Sequence, residues 1–129
     1  MRRVLFERLV RKAIQGLPRS LREKIGNLAV IVEESPPPEV LRELGLSSPY
    51  ELLGLYQGVP LSKRGFYYGN VLPDRISLYK RPIEARCASA EEMVRLIQEV
   101  VLHELGHHFG LEEEDLMRLL EQTDEVGEH

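Results

Sequence analysis

The chain has a single cysteine, Cys87, and no unbroken apolar run of bilayer length. The first absence excludes an intrachain disulfide and with it a secreted, disulfide-stapled scaffold. The second excludes a transmembrane helix, which needs about 20 mostly apolar residues. A secretory signal is not expected either: the start, MRRVLFERLVRKAIQGL, mixes charge into its apolar residues. Positive charge is in deficit, with 17 Lys and Arg against 21 Asp and Glu and a net charge of −4. Nothing therefore argues for a nucleic-acid or anionic-membrane partner. The basic residues near the amino end (Arg2, Arg3, Arg8, Arg11, Lys12) read as the solvated face of a helix. Asn, Gln and Cys are scarce and Arg outnumbers Lys, a compositional lean towards a thermophile or a GC-rich genome. The expectation is a soluble, cytoplasmic protein.

With 129 residues and 43% hydrophobic content, the chain fits one compact domain. A chain of this size buries roughly two-thirds of its unfolded surface, so any metal would serve chemistry rather than hold the fold. Val4, Leu5, Leu9, Val10 and Ala13 recur at helical spacing, and a short second helix follows the Leu17-Pro18 break. Leu28 to Val32 is a short apolar run rich in β-branched residues, expected as a strand buried on both faces and ended by Pro36 to Pro38. Leu53 to Leu61 reads as a second strand, and Asp74 to Ile83 as a third. Pro82 argues that this third strand lies at an edge, where one backbone donor can be spared. Ser89 caps a long helix running to about Phe109, Gly110 supplies a stop, and an acidic helix follows from about Glu112 to Gln122.

The chemistry lies on the long helix, in His103-Glu104-Leu105-Gly106-His107. Residues four apart sit about 40° from each other around the helix axis, so both imidazoles can point at one ion from adjacent turns. Glu104 lies beside the pair, where its carboxylate can reach water that the ion activates without occupying the ion itself. Two neutral nitrogen ligands leave the ion electron-poor, which favours that activation. Most of the helix is apolar, and on a buried surface isolated histidines would be costly without a partner. A third protein ligand is needed. Gly110 permits a sharp turn, and spacing then favours Glu113, with Glu112, Glu114 and Asp115 as competitors.

The run HELGHHFGLEEEDL resembles the active-site signature of small bacterial zincin-like proteins, the minimal metallopeptidases with an HExxHxxGxx[DE] pattern. The likeness extends to NLAVIVEE, ELLGLYQGVPL and VLPDRISLYKRPIEARC. It implies an α+β zincin-like fold: a small mixed β-sheet packed against an active-site helix and N-terminal helices. It implies Zn2+ as cofactor, with His103 and His107 as ligands, Glu104 as general base and Glu113 as the acidic third ligand. It further implies a peptide or protein substrate paired along an edge strand, for which Asp74 to Arg81 is the candidate. The chain departs from larger peptidases in having no histidine at position 113, no separate downstream Met-turn and no sizeable second subdomain.

The resulting expectation is a zinc metallopeptidase hydrolysing peptide (amide) bonds. Its main rival is a zincin-fold protein that binds metal or acts as a scaffold without turnover. A metal-dependent ribonuclease would want a third histidine after the glycine and a basic surface, whereas position 113 is Glu and the chain is acidic. His108 is read as structural or as orienting a neighbour. Tyr56, Tyr67, Tyr68 and Tyr79 are potential oxyanion donors, but packing is the commoner role for a tyrosine in or near a strand. Cys87 is read as a small buried residue.

Overall fold

The computed structural model describes residues 1–26, 28–58, 74–109 and 118. Helix α1 (Arg3–Gln15) buries Phe6, Val10 and Ala13, one stripe at helical spacing, and packs on the long helix α5 (Ala90–Phe109). The stripe differs from the expected one, because Val4 and Leu5 are exposed and Phe6 is fully buried. Gln98 of α5 ties the two helices together by donating to the Ala13 carbonyl at 3.0 Å. Helix α2 (Arg19–Ile25) follows Pro18 and inserts Leu21 and Ile25 into the same core.

Three strands form one mixed sheet in the order β1-β3-β2. Strand β1 (Ala29–Glu33) runs parallel to β3 (Arg75–Tyr79), with Val32 opposite Leu78. Strand β2 (Gly54–Gln57) runs antiparallel to β3, with Tyr56 opposite Ile76. Between β1 and β2 lie helix α3 (Pro38–Leu44) and a 3-10 turn (Pro49–Glu51). That turn is closed by a capping box. The Ser48 hydroxyl accepts from the Tyr50 N–H, while Glu51 accepts from the N–H groups of Ser47 and Ser48. These backbone donors hold the Glu51 carboxyl below its ordinary range.

Two strand expectations are corrected. The first concerns the Asp74 to Ile83 segment, which is not an edge strand. It is paired on both sides, Ile76 to Tyr79 are buried, and the strand stops at Tyr79. Pro82 belongs to helix α4 (Lys80–Ala85), in the first turn, where an N–H has no intrahelical partner to lose. The second concerns β1, expected to be buried on both faces. Only Val32 is buried there, since among the described residues β1 pairs with β3 alone.

Helix α5 starts at a reciprocal cap. The Glu92 N–H donates to the Ser89 hydroxyl and the Ala88 N–H to the Glu92 carboxylate. It lies against β2 and β3, burying Met93, Ile97, Val100, Val101, Leu102 and Leu105. Gly54 permits this approach: a Cβ there would stand 2.6 Å from Val100 Cγ1 and 3.0 Å from the Ser77 carbonyl oxygen. No helix among the described residues is long and apolar enough to cross a membrane.

Candidate metal centre

His103, Glu104 and His107 come together near the carboxyl end of α5, with one potential ligand atom from each lying within 4.8 Å of the others. The two Nε2 atoms are 3.3 Å apart and the rings are tilted at 59°. Two nitrogens each about 2.0–2.1 Å from a tetrahedral ion would themselves be about 3.3 Å apart. The separation is long for an N–H···N hydrogen bond but fits a shared ion, and the donor set of two imidazoles suits zinc. Among the described residues these three are the only cluster of this kind.

The histidines are not buried, contrary to the reading from the apolar helix. His103 keeps 58% of its side chain exposed, and His107 is also exposed. The apolar stripe of α5 turns towards the sheet, and the pair lies on the open flank beside it. An ion held there would be reachable by water and by a substrate.

Glu104 is different, with only 7% exposure. Its Oε1 accepts from the backbone N–H of Tyr56 at 2.8 Å, and its Oε2 lies 4.0 Å from His103 Nε2. One oxygen is thus anchored on strand β2 while the other faces the histidines. Tyr56 is anchored in turn by its hydroxyl, which donates to Asp74 Oδ2 at 2.9 Å. Sequence reasoning missed both Tyr56 as a backbone donor and Asp74. The one available signal was the pair of glycines, Gly54 and Gly58, bracketing Tyr56 on the strand face that meets α5.

The chain matches the model of the zincin-like metallopeptidase family over residues 25–122. It belongs to that family. No curated protein matches it. Membership accounts for the α+β architecture and for a metal-binding, metallopeptidase-type site, with zinc the usual ion.

Among the other expected residues, Tyr79 alternates with Leu78 onto the sheet face turned away from α5 and is buried. Burial pushes its hydroxyl pKa up, with the Glu33 charge adding to the effect. Cys87 is half-buried, and burial likewise pushes its thiol up, away from the reactive thiolate. Gly110, Glu112, Glu113, Glu114 and Asp115, together with Tyr67, Tyr68 and the acidic helix, lie outside the described residues, as does the His108 side chain.

Proposed function

We propose that the chain is a zinc-dependent metallopeptidase that hydrolyses peptide bonds. His103, His107 and Glu113 hold the ion, and Glu104 is the general base. The observation that carries this reading is the Glu104 carboxylate, with one oxygen fixed by the Tyr56 N–H and the other turned to a histidine pair spaced for one ion.

The ion, when bound, supplies Lewis acidity towards a carbonyl oxygen and towards water. His103 and His107 present neutral nitrogens and so leave that acidity undiminished by ligand charge. Glu104 Oε2 takes the proton of the attacking water and returns it to the leaving amine. The hydrogen bond at Oε1 keeps the carboxylate from rotating away from that path.

The substrate backbone is assigned to β2 rather than to the Asp74 to Arg81 segment. Strand β3 has both sides occupied, whereas among the described residues β2 pairs on one side only and runs along α5 beside the histidines. The Tyr56 N–H on that side is already given to Glu104, so an extended peptide adding there would pair with the remaining outward groups of β2 and pass beside Glu104.

The test compares zinc-loaded wild type with Glu104→Ala on a broad peptide library, with metal content measured in parallel. Cleavage by wild type, lost in a variant that retains zinc, is the expected result. Zinc in both proteins with cleavage by neither would leave the rival reading, a metal-binding protein without turnover.

A further inference from the structure

Asp74 stands at the head of β3 with 3% exposure, and it touches both neighbouring strands. Its carbonyl accepts from the Ala29 N–H of β1 at 3.1 Å, and its carboxylate accepts from the Tyr56 hydroxyl of β2. Gly58 passes directly against that carboxylate, so closely that a Cβ would collide with Oδ1 and Cγ. The strand therefore leaves the sheet over Asp74 in a fixed position.

Tyr56 is held on this strand by its hydroxyl on Asp74 and by its N–H on Glu104. A glutamate carboxylate rotates broadly about its last torsion, and only an outside partner fixes it. Here that partner is a backbone N–H, and the direction of that N–H depends on where β2 lies. We infer that Asp74 is a positioning residue for Glu104, acting through Tyr56. The buried carboxylate sets the strand, and the strand sets which way the Glu104 oxygens face. The consequence for hydrolysis rests on the proposed role of Glu104, but the structural coupling needs neither substrate nor metal to be tested.

The backbone amide proton of residue 56 reports on the coupling, because a hydrogen bond to a carboxylate shifts its NMR resonance downfield. The full chain without metal would be compared as wild type, Glu104→Ala, Tyr56→Phe, Asp74→Ala and Asp74→Asn. Glu104→Ala defines the shift for complete loss of the bond. Tyr56→Phe, which keeps the ring, and Asp74→Ala are expected to move the resonance upfield most of the way to that value. Asp74→Asn, which keeps an acceptor, is expected to move it back. The amides of Leu55 and Ser77, opposite each other in the sheet, should stay in place, as they would not if the strand had simply come apart.

Should Asp74→Ala fail to fold, Tyr56→Phe decides. A residue-56 resonance unmoved by Tyr56→Phe overturns the inference, whatever the peptide assays give. A moved resonance in a protein that cleaves nothing supports the positioning while removing the proposed activity. With a cleavable peptide, Tyr56→Phe should lower kcat roughly 10–100-fold with KM and zinc affinity unchanged.

Discussion

The Tyr56 amide and the Glu104 carboxylate meet at 2.8 Å across 48 residues of sequence. The contact joins the strand at the side of the sheet to the helix that carries the histidines. It needs α5 to pack closely on β2, and at Gly54 that close packing leaves no room for a side chain. The glycine, the strand and the carboxylate form one chain of cause, open to perturbation at each point.

Gly54→Ala would place its new methyl 2.6 Å from Val100 Cγ1 and close to the Ser77 carbonyl. Overpacking of this kind costs about 1–3 kcal/mol. Shortening the opposing side chain by Val100→Ala should relieve part of the clash, so the double variant should lose less stability than the sum of the two singles. Urea unfolding of the four proteins measures the difference, and simple additivity would show that helix and strand are not in the contact described.

His103 and His107 should matter to metal and very little to folding. Both are exposed, so His103→Ala and His107→Ala should change the stability of the metal-free protein by no more than about 0.5 kcal/mol. Zinc affinity should fall by more than the roughly 10–100-fold that loss of an outer-sphere partner costs. Thermal unfolding in chelator and calorimetric zinc titration give the two readings. A large stability loss with unchanged zinc binding would make the pair structural.

Lys80 and Glu84 form an ion pair with Nζ 2.8 Å from Oε1, the lysine side chain being 8% exposed. The neighbouring Glu84 carboxylate pushes the Lys80 pKa up, against the effect of burial. Burial alone would raise the Glu84 pKa, but the Lys80 ammonium and the Met1 amino group, 3.4 Å from Oε2, together outweigh it and hold the group below its ordinary 4.5. A lowered carboxylate pKa stabilises the fold above the unfolded value and loses that contribution as pH falls through the folded one. The raised lysine pKa contributes fully below 10.5 and is lost as pH rises past its folded value. Glu84→Gln should therefore be less stable than wild type at neutral pH, with the gap closing as the solution is acidified below about 4.5. Urea midpoints against pH test this, and a gap that widens in acid would contradict it.

How much of this was legible in the sequence depends on whether each feature is local. The spacing of His103 and His107 fixes their relation because four residues on a helix always return to nearly the same side. Their exposure was misjudged because Val100, on their own face, is buried at Gly54 while both histidines stay exposed, and periodicity does not show where that face leaves the core. Pro82 misled for a related reason: a missing N–H suits an edge strand and a first helical turn equally, and only the pairing of β3 on both sides decides between them. In α1 the apolar run is longer than the face it buries, so Val4 and Leu5 competed with Phe6 for a place the core gives to Phe6. Asp74 drew no notice, since its partners Tyr56 and Ala29 lie on two other strands.

The third ligand is the part of the proposed site argued from spacing and family resemblance alone, and it has a direct test. Glu112, Glu113, Glu114 and Asp115 are four consecutive carboxylates, of which one completes the ion's protein ligands under the proposed reading. Replacing each in turn by alanine should leave zinc affinity nearly unchanged at three positions and lower it sharply at Glu113. Removing an unligated surface carboxylate only weakens a screened long-range attraction, whereas removing a ligand opens the ion to water. Glu113→His should recover most of the affinity, since an imidazole suits the same ion and leaves the site with three histidines. Calorimetric titration of the five variants measures both effects. If the steep loss falls at one of the other three positions, the third ligand moves there, and the turn after α5 must be tighter or wider than Gly110 spacing implies.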